Sequence, residues 1–306
     1  MTANTSRELS FVWEGLELVG TLRLPAGSGP HAAVLMMQGS GPADRENDGY
    51  FAEIREAFLP KSIATFSFDK PGCGASSGDW RDYGLLARGD QAEAAIELLR
   101  TQPEVDSARV GVWGQSQGGW LAQIVASRPL QLAFAIANSG PSIGVIEQDV
   151  FGCEHSMRAS GHSEADIRSA VEFIEVLHDA ARRNVPYAEV AELVAGVEAQ
   201  PWYGYVEVED EADWRFGRLL VDEDYDPVPT LQNAQCPFLA IFGGRDVLVP
   251  AWRGATECGQ ALLDSGVTDS AVVVFPTGDH RIRDAATGEF VAGYLDTLGD
   301  WAAHRV

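Results

Sequence analysis

Residues 110–126 read V-G-V-W-G-Q-S-Q-G-G-W-L-A-Q-I-V-A. A short apolar run ends here in the pattern G-x-S-x-G, and a helical pattern follows it directly. A serine at the tip of a sharp strand-to-helix turn has a strained backbone, and side chains beside it would collide, so glycine flanks it on both sides. Such a turn presents the serine Oγ at the carboxyl end of a parallel sheet, where open α/β sheets bind ligands. The pattern therefore predicts Ser116 as a nucleophile.

Apolar runs and helical patterns alternate on both sides of this motif. The first two runs form a predicted hairpin around Glu14 and Gly15, and the later runs are separated by segments of helix length. We predict strands at 9–13, 16–24, 32–37, 63–68, 110–113, 132–137, 238–242 and 271–275, and helices at 85–99 and 290–301. This order predicts an α/β fold with a mostly parallel eight-stranded sheet flanked by helices on both faces.

A long segment with helical periodicity and no good strand follows the sixth predicted strand. Residues 141–230 contain 20 acidic and 6 basic residues, in a chain whose net charge is −23. We predict that residues 1–140 and 231–306 form the core and that 141–230 form a helical lid inserted into it. One interpretation of these acidic residues is that they cover a solvated helical surface. The alternative is that they give the lid a negative electrostatic field that disfavours anionic substrates.

A serine is a poor nucleophile until a base takes its proton, and a third group must orient that base. Of the six histidines, His280 follows a core strand at its carboxyl end, whereas the others precede a strand, lie near the C-terminus or belong to 141–230. Asp246 follows the strand at 238–242 in the same way. Asp279 competes for the role, but the side chain next to His280 along a loop usually points away from it. The order Ser116, Asp246, His280 predicts a catalytic triad.

The developing oxyanion needs two hydrogen-bond donors. The strand-to-helix turn at Ser116, called the elbow below, supplies the amide of Gln117. The loop after the third strand, M-Q-G-S-G-P-A-D-R-E, supplies the other donor. We expect the Ser40 amide to be this donor, with the Gly39 amide as the alternative. The same loop could be only a flexible connection, in which Asp44 and Arg45 pair to hold its shape.

These motifs together resemble the α/β-hydrolase superfamily and, within it, bacterial dienelactone hydrolases and prolyl-oligopeptidase-like serine hydrolases. The resemblance rests on G-S-G-P-A-D-R-E, F-D-K-P-G-C-G-A-S-S-G-D-W, G-Q-S-Q-G-G, P-F-L-A-I-F-G-G-R-D-V-L-V-P and the closing G-D-H. It covers nearly the whole chain. It implies the α/β-hydrolase fold with a nucleophile elbow, the same triad and an oxyanion hole at Ser40 and Gln117.

The substrate pocket is expected between the core and the lid. Aromatic residues of the lid, among them Trp202, Tyr203 and Trp214, would close over the elbow and suit a bulky apolar or ring-containing acyl group. They could equally form the lid's own core. We also expect Gln38 to belong to this pocket. It stands where many relatives have a histidine before the oxyanion glycine, and its amide can still form hydrogen bonds that hold the loop.

The expected activity is hydrolysis of a carboxylic ester or thioester by a serine esterase, through an acyl-enzyme and without a cofactor or metal. The same triad would also serve acyl transfer, lactone opening, cyclisation or hydrolysis of a carbon–carbon bond in a biosynthetic or degradative pathway. A ligand-binding protein that kept the fold without turnover is a remote alternative.

Charge and hydropathy limit the partners of this protein. A net charge of −23 argues against binding to nucleic acid or to anionic membranes. No run reaches the ~18 apolar residues of a membrane span, and the N-terminal M-T-A-N-T-S-R-E-L-S lacks the apolar stretch of a signal peptide. We therefore expect a cytoplasmic protein whose partner is a small-molecule substrate. The sequence leaves the oligomeric state open, a homodimer included.

Overall fold

The computed structural model describes residues 4–206 and 208–306, and its strands form one eight-stranded sheet. The strands are β1 (Thr5–Trp13), β2 (Leu16–Leu24), β3 (His31–Met37), β4 (Ile63–Phe68), β5 (Val105–Gln115), β6 (Ala135–Asn138), β7 (Phe238–Gly243) and β8 (Ser270–Phe275). Their order across the sheet is β1-β2-β4-β3-β5-β6-β7-β8. Strand β2 pairs antiparallel with β1 and β4, and all the other neighbours are parallel. The predicted α/β fold with a mostly parallel sheet is confirmed.

Ten α-helices accompany the sheet in the described part of the chain. They are α1 (Tyr50–Phe58), α2 (Leu85–Arg100), α3 (Gln117–Ala126), α4 (Val145–Ala159), α5 (Glu164–Arg182), α6 (Tyr187–Ala195), α7 (Glu211–Glu223), α8 (Pro227–Leu231), α9 (Ala251–Ser265) and α10 (Tyr294–Ala303). Helices α2, α3 and α9 cover one face of the sheet, and α1 and α10 cover the other.

Strand β3 explains why the central strands read as continuous apolar runs. Successive side chains of a strand point to opposite faces, and both faces of this sheet are covered. Leu35 and Met37 accordingly pack in the cluster under α2 and α3. Val34 and Met36 pack in the cluster under α1 and α10. Every residue of β3 is buried, so the strand lies at the centre of the molecule and its carboxyl end opens onto the edge that carries the candidate site.

Helices α4 to α8 lie between β6 and β7, within the span predicted as a lid. This helical segment (residues 141–230) has an apolar cluster of its own, to which Met157, Trp202 and Trp214 belong. Polar contacts also join it to the sheet domain. The Glu223 carboxylate, for example, accepts the N–H of Leu85 at the start of α2. None of the described helices is both long enough and apolar enough to cross a bilayer.

Four predicted elements start at least three residues away from where the structure places them. Strand β1 begins at Thr5 and not at Leu9, and β6 begins at Ala135 and not at Leu132. Strand β5 begins at Val105, before the apolar run that predicted it, because the run marks only the buried part of the strand. The last helix begins at Tyr294 and not at Phe290. Phe290 forms an isolated β-bridge with Arg283, and Gly293 has φ 83°, a left-handed conformation that glycine favours and that separates the bridge from the helix.

Candidate active site

Ser116 occupies the turn between β5 and α3 with φ 57° and ψ −119°. A positive φ is strained for any residue with a Cβ. The two glycines of the motif make the turn feasible. A Cβ on Gly114 would lie 1.8 Å from the carbonyl oxygen of Gly118, and one on Gly118 would lie 2.3 Å from the carbonyl oxygen of Met37. The backbone therefore approaches closely on both sides of the serine, and only glycine fits at these positions.

Ser40 and Gln117, whose backbone amides are the expected oxyanion donors, line the same cavity as Ser116. The Gln117 amide is the first N–H of α3 and has no acceptor within its helix. The Ser40 amide lies in the loop after β3, and neither amide donates a hydrogen bond to an acceptor among the described residues. Gly39 allows this loop to approach, since a Cβ there would lie 3.2 Å from the Ser116 Cβ. Unpaired amides in this arrangement can bind an oxyanion.

His280 and Asp246 form a hydrogen-bonded pair at the same edge of the sheet. The Nδ1 atom of His280 lies 2.7 Å from Oδ2 of Asp246, whose side chain is 1% exposed. Oδ1 of Asp246 accepts the N–H groups of Leu248 and Val249 at 2.8 and 3.0 Å. These bonds fix the imidazole with Nε2 available as a base. Ser116 Oγ and His280 are not hydrogen-bonded to each other in the structure, and such bonds often tighten only when substrate binds.

Close packing of two loops brings the aspartate and the histidine together. A Cβ on Gly243 would lie 2.0 Å from the carbonyl oxygen of Asp279, and one on Gly244 would lie 2.7 Å from that of Pro276. The glycine pair after β7 thus lets the aspartate loop pack directly against the histidine loop. The Asp279 carboxylate accepts the N–H groups of Arg281 and Arg283, so it is occupied within its own loop.

Gln38 holds the loop after β3 and lies outside the cavity wall. Its side chain is buried, and its Nε2 donates to the carbonyl oxygens of Asp44 at 3.0 Å and Phe68 at 2.6 Å. Gln38 therefore has the loop-holding contacts expected of its amide, but it does not lie in the pocket for which the sequence proposed it.

Arg45 does not pair with Asp44 as expected. Its guanidinium donates from Nη2 to Oδ2 of Asp69 at 2.6 Å and from Nε to Oδ1 at 3.0 Å. Asp44 instead accepts the N–H groups of Glu46 and Asn47. Asp69, in the loop after β4, is almost fully buried and needs a cation as partner. If Arg45 paired with Asp44 instead, Asp69 would lose this ion pair.

Sequence reasoning missed Lys70, which follows Asp69 in the motif F-D-K-P-G. Its side chain is 2% exposed, and its Nζ donates to the carbonyl oxygens of Gly39 and Gly41. The available signal was a lysine placed two residues after a fully buried strand. Its partners are backbone carbonyls, which have no signature in the sequence.

A cavity of about 640 Å³ lies between the elbow and the helical segment. Ser40, Ser116, Gln117 and Trp120 form its wall on the sheet side. Helices α4, α5 and α7 form most of the remainder, mainly through apolar residues: Val145, Ile146, Ile174, Leu177, Phe216, Leu220 and Val221. Pro141, Leu248 and residues just before α7, among them Tyr205, also line the cavity. The volume is typical of small-molecule sites.

Of the aromatic residues proposed for the pocket, Trp214 lines the cavity, whereas Trp202 and Tyr203 do not. Trp202 is buried against Phe173 in the apolar cluster of the helical segment, with ring centroids 5.8 Å apart. Tyr203 packs at the edge of the same cluster. The alternative that the sequence left open, a core internal to the segment, therefore accounts for these two side chains.

The charged groups in the cavity wall are acidic. Asp149 and Asp213 belong to the wall, and no lysine or arginine is among the described residues that line it. Nε2 of His178 lies 3.0 Å from Oδ2 of Asp149. Cys153 also lines the cavity, and burial raises the pKa of its thiol to about 11, so the thiol is neutral near pH 7. The described residues contain no group of three His, Cys, Asp or Glu side chains placed to hold a metal ion.

Comparison with known sequences finds one family and several relatives. A profile described as the alpha/beta hydrolase family matches residues 34–292. An uncharacterised 31.7 kDa protein of Escherichia coli from the traX-finO intergenic region is 24% identical, over 94% of this chain and 95% of its own. Two shorter matches carry names. The 2,6-dihydropseudooxynicotine hydrolase of Paenarthrobacter nicotinovorans is 30% identical over 42% of this chain and 34% of its own length. Esterase FrsA of Yersinia enterocolitica is 33% identical over 45% of this chain and 32% of its own length.

Solved structures agree with this assignment. An esterase of Pyrococcus furiosus superposes with a TM-score of 0.64 at 16% identity, covering 98% of this chain and 91% of its own. The structure of 2,6-dihydroxy-pseudo-oxynicotine hydrolase superposes with a TM-score of 0.62 at 19% identity, and the match covers 97% of this chain and 67% of that one. At these identities the likeness establishes the fold. With the family profile spanning most of the sequence, the chain belongs to the alpha/beta hydrolase family.

Proposed function

We propose that this hydrolase is a serine enzyme that cleaves a carboxylic ester or thioester through an acyl-enzyme. The observation that carries the proposal is the composition of one cavity wall. Ser116, on a strained turn, shares that wall with the unpaired amides of Ser40 and Gln117. The hydrogen-bonded His280–Asp246 pair follows the neighbouring carboxyl ends of β7 and β8.

Each residue has one task in the proposed reaction. Nε2 of His280 takes the proton of Ser116 as Oγ attacks the carbonyl carbon, and Asp246 stabilises the imidazolium through Nδ1–H. The amides of Ser40 and Gln117 bind the oxyanion. His280 then protonates the leaving alcohol or thiol. A water molecule that His280 deprotonates attacks the acyl-enzyme and releases the acid.

The cavity supports a small, apolar or ring-containing substrate, for which residues 141–230 serve as the lid. A volume of about 640 Å³ accommodates a ring system, and Trp214 and Phe216 offer aromatic surface in its wall. Asp149, beside His178, and Asp213, which pairs with Arg81 from outside the wall, oppose a second negative charge, and the described wall has no lysine or arginine to attract one. Neutral esters are therefore preferred to esters that carry a carboxylate.

A fluorophosphonate probe tests the nucleophile. Intact-mass spectrometry should find one adduct on the wild type and none on Ser116→Ala. Ser116 and Ser127 flank the two ends of α3, and Ser127 lies outside the cavity, so Ser127→Ala is a matched control and should label like the wild type. No adduct on the wild type would contradict the proposal and favour a protein that binds ligands without turnover.

An ester panel then tests the substrate class. Neutral aryl and cycloalkyl esters and thioesters should be hydrolysed faster than analogues that differ by one carboxylate. Adding an alcohol or amine acceptor distinguishes hydrolysis from acyl transfer, because transfer yields a new ester or amide in place of the free acid. A preference for the carboxylate analogue would contradict the role given to the acidic wall.

A further inference from the structure

Lys70 binds the loop after β3 at several points. Its Nζ donates to the carbonyl oxygen of Gly39 and, at 2.5 Å, to that of Gly41. Its backbone N–H donates to the carbonyl oxygen of Ala43 at 3.1 Å. The hydrogen bonds of Nζ to described residues thus go to backbone carbonyls and not to a carboxylate. A buried cation normally pairs with an acid, so this choice of partners calls for an explanation.

The Gly39 carbonyl and the Ser40 N–H belong to the same peptide group. That peptide is trans, and in a planar trans peptide the C=O and N–H bonds point in opposite directions. Lys70 lines a separate small cavity behind the loop, with Gln38 and Arg88, whereas Ser40 lines the large cavity with the nucleophile. A carbonyl held on Lys70 therefore directs the Ser40 N–H towards the side of Ser116.

We propose that Lys70 is a positioning residue for catalysis: it fixes the Gly39–Ser40 peptide so that the Ser40 N–H binds the oxyanion. This inference rests on the proposed serine-hydrolase function. Without Lys70 the peptide could rotate, and the carbonyl oxygen of Gly39 would then face the position of the developing negative charge and repel it.

The contact does not depend on the charge of the lysine. Burial, with the nearby Arg88 adding to it, lowers the pKa of Lys70 well below its usual 10.5. An ammonium has three N–H donors and a neutral amine has two, so both carbonyls stay bound in either state. When protonated, the lysine also polarises the peptide and strengthens the Ser40 N–H as a donor.

Replacing the lysine by methionine keeps an unbranched side chain of similar length and removes every donor. Lys70→Met should lower kcat by about 10²–10³-fold, the effect of losing one oxyanion donor, and change KM less than about threefold. The rate of fluorophosphonate labelling should fall in parallel. The chain has two lysines, so Lys61→Met is the matched control and should leave both rates unchanged. A folded Lys70→Met protein with wild-type kcat would overturn the proposal.

A second measurement uses the wild type and avoids any folding defect. Protein labelled with ¹³C and ¹⁵N in lysine has two side-chain amine signals in its NMR spectrum, and Lys61→Met assigns them. Phosphonylation of Ser116 places an oxygen beside the Ser40 amide, so the Lys70 signal should shift and the Lys61 signal should not. An adduct that leaves Lys70 unmoved would overturn the inference alone, whereas failure to form any adduct would overturn the proposed function.

Discussion

The Asp246 carboxylate holds His280 through one oxygen and its own loop through the other. Oδ2 accepts from Nδ1 of His280 at 2.7 Å, while Oδ1 accepts two backbone amides. The orientation of the imidazole is therefore coupled to the backbone of the loop after β7. A change at Asp246 that keeps its shape separates the chemical role of this group from its structural one.

Asp246→Asn should lower kcat by about 10⁴-fold at pH 7, because the amide nitrogen donates to Nδ1 and imposes the tautomer that leaves Nε2 protonated. Its oxygen still accepts the two loop amides, so the thermal midpoint should change little. Steady-state kinetics with a neutral ester and a thermal melt check both results. Asp279→Asn is the control, since its oxygen can still accept its own loop amides, and it should retain most activity. Equal losses in the two variants would refute the assignment.

Trp214 is expected to stabilise the helical segment as well as to line the cavity. Its ring is buried, and its Nε1 donates to the carbonyl oxygen of Val185 at 3.0 Å. Trp214→Ala should therefore reduce the free energy of unfolding by about 3–5 kcal/mol, measured in urea. Trp252→Ala, on the exposed side of α9, should change it by less than about 0.5 kcal/mol. A small effect at Trp214 would mean that the segment does not depend on this cluster.

Gly217 lies within α7 and faces the cavity, and a Cβ there would meet no atom within 4 Å. Gly217→Ala should raise the free energy of unfolding by about 0.5–1 kcal/mol, because alanine loses less backbone freedom in a helix. The added methyl also reduces the cavity, so KM should rise for the bulkiest esters. Gly254→Ala on α9 should stabilise less than Gly217→Ala, since its Cβ would lie 3.0 Å from the Phe242 ring, which would have to move. Urea denaturation of both variants shows whether the room for the added methyl group or the higher helix propensity of alanine determines the change in stability.

Asp69 should influence stability in acid. Burial alone would raise its pKa, but hydrogen bonds from Arg45 and from the Ala75 N–H outweigh burial and hold the pKa below 3.8. A lowered folded-state pKa stabilises the protein above the unfolded value, and this stabilisation is lost as the pH falls through the folded value. Asp69→Asn should thus cost about 3–5 kcal/mol near pH 7 and progressively less below pH 3.8.

Urea unfolding of Asp69→Asn and of the wild type, repeated at decreasing pH from 7 into the acid range, measures the difference in their free energies of unfolding. Asp106→Asn, which breaks the partly exposed pair with Arg109, should leave stability near that of the wild type at every pH. A constant difference between Asp69→Asn and the wild type across the acid range would show that the ion pair is not what Asp69 contributes.

The fold could be predicted from the sequence because its signals are local. Buried parallel strands such as β3 and β4 are continuous apolar runs, and the turn at Gly15 sits where the hairpin requires it. The elbow needs glycine at two fixed positions, and both are visible in the sequence. The start of α10 could not be predicted, because the apolar spacing continues through Phe290 while a β-bridge holds that residue outside the helix.

The cavity residues were harder to predict than the elbow. Some apolar side chains of the helical segment face its own core, and others face the cavity. Both sets follow the same helical periodicity, so the sequence does not distinguish them. Trp202 lies in that core and Trp214 in the wall, although both read as aromatic residues of one segment. Lys70 escaped prediction because its partners are carbonyls of a loop about 30 residues earlier in the chain.

The backbone of Ser116 has a consequence for laboratory evolution. Its φ of 57° and ψ of −119° form a conformation that glycine adopts freely and that costs serine about 1–3 kcal/mol. Selection for heat tolerance or soluble yield alone would therefore favour Ser116→Gly, a more stable protein that lacks the proposed nucleophile. Thermostable variants of this chain should be chosen in screens that score turnover and melting together.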